Sequence, residues 1–167
     1  RAFQNLPTKP KRTLLFILFT AEEKGLYGSK YYVDNPVFPL EKTIAMFNLD
    51  MIGRNDVDQV SVVGRYQYPG LYKIVETANK KSVNLEINFS VEQFVRNSDH
   101  MPFMRNNVPV MFFNSGTHDQ LHRPEDTAGR VLPEKMKKIT RLLFLGMWDT
   151  ANLPAGTRLD NPEQGKK

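Results

Sequence analysis

The run Thr13-Leu14-Leu15-Phe16-Ile17-Leu18-Phe19 narrows the possible folds more than any other stretch of this chain. After Thr13 it holds no polar residue and shows no alternation, so both of its faces demand burial. That pattern belongs to an interior strand of a parallel sheet. A buried helix is the rival reading. The run is short, however, prolines precede it, and Thr20-Ala21-Glu22-Glu23 turns the chain at its end, all of which favour a strand. Residues 43–49 and 109–113 have the same character, and 59–63 is a shorter strand. Leu85, Ile87 and Phe89 alternate with Glu86 and Asn88, so this strand has one wet face and lies nearer an edge. Between the strands, 25–33 reads as a short helix, and Ser98 or Asp99 caps another that runs through Met104. The spacing of Leu71, Ile74, Val75 and Ala78 predicts a helix over 70–81. The longest helix is expected over 132–151, with Met136, Ile139, Leu143 and Met147 on its buried stripe. Strands alternating with helices indicate a three-layer α/β/α sandwich around a mixed, mostly parallel sheet.

Composition removes several classes of function. At 167 residues, with 40% hydrophobic and 25% charged residues, the chain has the makings of one globular domain. Its 23 basic residues against 18 acidic ones give a net charge of +5. The densest basic clusters, 9–12 and 135–141, are not interleaved with aromatics, so they read as solvated surface and no nucleic-acid partner is expected. No cysteine is present, which excludes disulfides, thiolate zinc sites and cysteine nucleophiles. No apolar run approaches the ~20 residues of a membrane span. Arg1 to Gln4 read as the last turn of a helix whose beginning is not seen, so 1–153 is expected to be part of a catalytic domain. Residues 154–167, rich in Pro, Gly and charge, are expected to form a flexible tail.

In open α/β sheets, ligands bind beyond the carboxyl ends of the strands. Here one strand runs into Glu22-Glu23, a second into Asp50, and the strand at 109–113 into a loop that carries His118, His122 and Asp126. Carboxylates and a neutral imidazole gathered in one place suit a divalent metal. Oxygen and nitrogen donors without sulfur fit catalytic zinc, with manganese or cobalt as substitutes. Each piece is ordinary by itself. An adjacent Glu-Glu starts many solvated helices, a lone Asp after a strand is commonly a turn residue, and a lone loop His commonly lies at the surface. Their joint occurrence after buried strands, in this order, carries the reading.

In that order, Phe19-Thr20-Ala21-Glu22-Glu23-Lys24-Gly25-Leu26-Tyr27-Gly28-Ser29, Asn48-Leu49-Asp50-Met51-Ile52-Gly53, Ser98-Asp99-His100-Met101-Pro102-Phe103 and Leu121-His122-Arg123-Pro124-Glu125-Asp126-Thr127 resemble the M28 family of zinc peptidases, chiefly aminopeptidases. The resemblance extends over about residues 1–150. It implies a zinc-exopeptidase-like fold, a peptide substrate, and hydrolysis of N-terminal peptide bonds at two zinc ions. It implies Glu22 as the general base toward the metal-bound water, Glu23 as a ligand of one zinc, Asp50 as a ligand of the other, and His122 as completing the site that Glu23 begins. Two metals clamp the attacking water and the scissile carbonyl oxygen, while an unligated Glu22 passes the proton to the leaving amine. Asp126 either orients the His122 imidazole or caps its loop, and Asp99 supports the site through its own loop. His118 reads as surface or substrate-facing, and Leu121 stands where many relatives have a tyrosine.

The family's remaining ligands, a His and a metal-bridging Asp, lie upstream of the Glu-Glu motif, and residues 1–12 hold no counterpart. The N-terminal strands are thus expected to be missing, the isolated chain to hold little zinc and be inactive, and the sheet to keep an unpaired edge open to self-association. Two other functions compete: a glutaminyl cyclase of the same fold using one zinc, and a non-catalytic, peptidase-like binding domain. The presence of Glu22, Glu23, Asp50 and His122 favours the peptidase. Side-chain preference would arise in loops such as 54–60 and 91–97, which carry no readable code. Export to the periplasm or beyond agrees with the family and with zero cysteines, although the latter fits the cytosol equally.

Overall fold

A computed structural model of the chain describes residues 2–157 and 159. Among these residues four strands form one sheet: β1 (Met46–Leu49), β2 (Gln59–Val63), β3 (Glu86–Asn88) and β4 (Val110–Asn114), in the spatial order β1-β4-β2-β3. β1 and β4 are parallel, β2 and β3 are parallel, and β2 meets β4 antiparallel. The sheet is therefore mixed and mostly parallel, as the pattern of buried runs predicts. Among the described residues four α-helices accompany it: α1 (Tyr27–Asp34), α2 (Pro69–Ser82), α3 (His100–Arg105) and α4 (Pro133–Ala151). α2 and α4 each begin with proline, whose missing N–H costs nothing in a first turn. Lys80 and Lys81 close α2, where cations favour the helix dipole.

The three layers follow from side-chain alternation along β4, every residue of which is buried. Phe113 stacks on Phe47 of β1 at 6.3 Å, and Phe47 in turn lies beside Gly146 of α4, with Val75 of α2 close by. Phe112 points to the opposite face and stacks on His100 of α3 at 4.6 Å. So α2 and α4, packed together, cover one face, while α3, with α1 against it, covers the other. Most buried apolar residues form one cluster that includes Leu71, Met111, Phe113 and Leu142. Burying each such side chain contributes ~1.5–3 kcal/mol.

Two expectations need correction. The run 13–19 is not a strand of this sheet. It has no regular secondary structure, and Phe16 and Leu18 are 69% and 101% exposed. A strand exists only through ladder hydrogen bonds to a neighbour. Among the described residues no backbone hydrogen bond joins this run to β1. A cavity of about 1020 Å³ is lined by both of them. β1 is accordingly an edge strand among the described residues. The buried stripe of α4 keeps Ile139 and Leu143 of the expected set but not Met136. Ile139, Leu142, Leu143, Gly146 and Thr150 are buried, whereas Met136 is exposed. The helix packs against α2 as well as the sheet, so its covered face is rotated toward Leu142 and Gly146. Lys135 is also buried, with its ammonium donating to the Asp56 carbonyl at 2.6 Å. Of the expected tail, residues 158 and 160–167 lie outside the described residues, and Leu159 packs into the main core.

Leu142→Ala is expected to lower the unfolding free energy by ~2–5 kcal/mol, and Met136→Ala by less than about 1 kcal/mol, in urea titrations. Equal losses would mean that α4 is rotated from the position described.

Candidate active site

The parallel pairing of β1 and β4 puts their carboxyl ends side by side. The Asp50 N–H donates to the Phe113 carbonyl at 3.2 Å, and the Asn114 side-chain amide donates to the Asp50 carbonyl at 3.0 Å. One residue on, the Ser115 N–H reaches the Met51 carbonyl at 3.0 Å. The Glu22-Glu23 turn is wound just as tightly. The Gly25 and Leu26 N–H groups both donate to the Glu22 carbonyl at 2.9 Å, and the Gly28 N–H donates to the Thr20 carbonyl at 3.0 Å. A Cβ on Gly28 would stand 2.6 Å from the Thr20 carbonyl oxygen and 2.7 Å from its nitrogen, so only glycine lets α1 start against this turn. Ala21, Met51 and His122 all have left-handed backbone, with φ of 56°, 55° and 58°. Such conformations cost roughly 1–2 kcal/mol each outside glycine. Here one sits immediately before the acidic pair, one immediately after Asp50, and one at the histidine itself, a placement common at functional sites.

These turns bring the sequence-predicted residues together. His122 Nε2 lies 2.9 Å from Glu23 Oε1, with both side chains open to solvent. Glu22 is half-buried. Burial, reinforced by the charges of Asp50, Glu23 and Asp99, holds its carboxyl above the ordinary value, against a smaller opposing pull from His122. Asp99 is buried and raised for the same first reason, with Asp50 adding to it and a hydrogen bond from Ser29 opposing. Asp99 occupies the N-cap position of α3, yet makes no side-chain capping bond, and neither does Ser98, whose hydroxyl lies 2.9 Å from Asp50 Oδ2. Glu22, Glu23, Asp50 and Asp99 all line the large cavity.

Asp126 pairs with Arg54 and lies 3.7 Å from His118, while His122 meets Glu23. Arg54 also donates to Gln120 at 2.6 Å, and the Asn55 amide donates to the carbonyls of Ser115 and Thr117. This group ties down the loop that presents His122. His118 belongs to it and is not a surface residue: its side chain is 7% exposed, and its Nδ1 has no hydrogen-bond partner. Arg54, Asn55 and Gln120 were not legible as part of the site, because single polar residues in a loop carry no periodic signal.

Carboxylate oxygens and an imidazole nitrogen fit zinc in kind. Glu23 and His122 supply two donors already in contact, and the raised carboxyls of Glu22 and Asp99 mark a patch that a cation would relieve. Among the described residues, no three His, Asp or Glu side chains stand close enough to enclose an ion.

The chain belongs to peptidase family M28, whose sequence model matches residues 1–146. It is 34% identical to leupeptin-inactivating enzyme 1 of Streptomyces exfoliatus over 110 residues, 65% of this chain and 24% of that protein. It is 26% identical to aminopeptidase YwaD of Bacillus subtilis over 163 residues, 89% of this chain and 34% of that protein. It thus spans between a quarter and about a third of the length of these relatives. Its fold is that of the LapA aminopeptidase of Legionella pneumophila, with a TM-score of 0.72 at 20% identity, covering 89% of this chain and 42% of that one. The zinc aminopeptidase BSAP of Bacillus subtilis gives a TM-score of 0.66 at 24% identity, covering 85% and 37%.

His100 is fully buried, and burial lowers its pKa from 6.5 to about 4, partly offset by a hydrogen bond with the Val95 carbonyl. The unfolded chain therefore binds the proton first. The stability due to neutral His100 is complete above pH 6.5 and is lost as the pH falls through about 4. In urea titrations this loss should amount to about 3 kcal/mol, and the wild-type-minus-His100→Asn difference isolates it from the carboxylates. A difference that stays flat with pH would show that His100 is not held neutral.

Proposed function

We propose that this chain carries the general base and part of the zinc shell of an aminopeptidase. The observation that supports this most is the convergence of a half-buried Glu22, whose carboxyl is held above its ordinary value by burial and the Asp50 charge, with Asp50 and with the Glu23–His122 pair. Glu23 and His122 would hold one zinc and Asp50 a second. Bound zinc supplies positive charge that polarises the scissile carbonyl and acidifies water. Glu22 stays out of the metal shell, takes a proton from the attacking water, and delivers it to the leaving amine. Its raised proton affinity brings it closer to the working pH, where a general base is most effective. Asp99 adds negative charge beneath Glu22, and Asp126 acts on the loop of His122 through Arg54 and His118. The name of the Bacillus subtilis relative supports removal of N-terminal residues, with a peptide as substrate. A glutaminyl cyclase of Porphyromonas gingivalis shares the fold at a TM-score of 0.58 and 17% identity, and cyclisation is the competing reaction.

In the protein as its natural gene encodes it, Glu22→Gln is expected to cut hydrolysis of an aminoacyl-nitroanilide about 10²–10⁴-fold and leave zinc content unchanged. Unchanged turnover would remove Glu22 from the chemistry. Cyclisation of an N-terminal glutaminyl peptide without nitroanilide hydrolysis would replace the peptidase reading by the cyclase. The 167 residues alone, offering two donors in contact, are expected to bind zinc weakly and to be inactive. Stoichiometric zinc by elemental analysis, together with normal turnover, would contradict that.

A further inference from the structure

The lysine at the head of α4 stands where physical chemistry argues against one. Lys135 is 1% exposed, although the basic stretch it opens reads as solvated surface. A fully buried lysine is rare unless its charge is matched. Lys135 is also the third residue of α4, where the positive end of the helix dipole repels a cation. Burial pulls its ammonium below the ordinary value, with the Asp56 charge opposing. A methionine would fill the same space without either cost. The ammonium donates to the Asp56 backbone carbonyl at 2.6 Å.

Residues 50–58, which include that carbonyl, join β1 to β2. On one side they are docked on α4: the Leu132 N–H donates to the Gly53 carbonyl at 2.8 Å, and Lys135 donates to Asp56. On the other side they grip the loop that carries His122. The Ser115 N–H reaches the Met51 carbonyl, and the Asn55 amide donates to the Ser115 and Thr117 carbonyls at 2.8 and 3.0 Å. Arg54 holds Gln120 and Asp126, one on each side of His122 in the chain. Arg54 and Asn55 thus lie between the two α4 contacts at Gly53 and Asp56. Asn55 has left-handed backbone, with φ of 61°, a conformation that persists only when its surroundings hold it. Lys138 makes a further link from α4 to Asp58, but Asp58 is open to solvent, and such a pair contributes little.

We infer that Lys135 is a positioning residue for His122: by clamping Asp56 it keeps Arg54 and Asn55 in place, and these hold the loop that sets His122 against Glu23. The ammonium serves the geometry of the site and not the stability of the fold. The inference rests on reading His122 as a metal ligand.

The test compares Lys135→Met with Lys138→Met in the protein as its natural gene encodes it. Lys135→Met is expected to keep the urea midpoint or raise it, because Asp56 is exposed and water can serve its carbonyl. Amide hydrogen exchange at Ser115, Leu121 and Arg123 should quicken at least about fivefold, the worth of one hydrogen bond in local opening. Ile139 and Leu142 of α4 should keep their rates. Zinc affinity, read by competition with a chelator, should fall about 3–30-fold, and Lys135→Met should add no further loss to Arg54→Met. Lys138→Met should leave loop exchange and zinc affinity as they are. Unchanged loop exchange in Lys135→Met would overturn the inference. So would its unfolding, an equal effect of Lys138→Met, or faster exchange in α4 and the loop together, each of which would make the ammonium a general support of the helix. Loop exchange that responds in a protein that binds no zinc would show that the reading of His122 as a ligand has failed, and the role given to Lys135 would fall with it.

Discussion

The parallel ladder between β1 and β4 is the constraint from which the acidic end of this molecule is built. Because the strands run the same way, Asp50 and the 114–127 loop emerge at the same end of the sheet, tied by the Asp50 N–H to Phe113 and the Asn114 amide to Asp50. β4 is buried along its whole length, so its register is held by side chains on both faces. A slip of one residue would exchange those faces. It would remove Phe112 from His100, and the carboxylate would lose its place.

Around that ladder, stability has been given up locally. Ala21, Leu26, Met51, Asn55 and His122, all with left-handed backbone, flank or form the site. Glu22 and Asp99 gather negative charge where burial already disfavours it. Contacts at a distance offset these costs: Gly28 letting α1 seat against Thr20, the Arg54–Asp126 pair, and the amide of Asn55 closing the loop after β4. The continuous core around Met111, Phe113 and Leu142 supplies the surplus on which such strain depends.

Periodicity made much of the fold legible. α2, β2 and β4 fall within a residue of their expected bounds, because an amphipathic stripe or an unbroken apolar run states directly which side chains need cover. It misled where cover depends on a partner. The run 13–19 has the composition of an interior strand and no neighbour to pair with among the described residues, so Leu18 stands open. α4 is buried on Leu142 and Gly146 because α2 lies against it, which no property of its own sequence reveals. His118 reads as surface or substrate-facing, yet its side chain is 7% exposed and lies 3.7 Å from Asp126.

The sequence by itself determined the kinds of chemistry available: carboxylates and imidazoles without sulfur, in an order that resembles family M28, on elements whose patterning already implied a layered α/β domain. Those are matters of residue identity and local spacing, and they are written in the chain. Only the tertiary structure decided which groups meet. It brought His122 to Glu23 across 99 positions and Ser98 to Asp50 across 48. The physical reason is that contact between distant residues is set by strand pairing, helix packing and the directions of hydrogen bonds, none of which a local pattern carries.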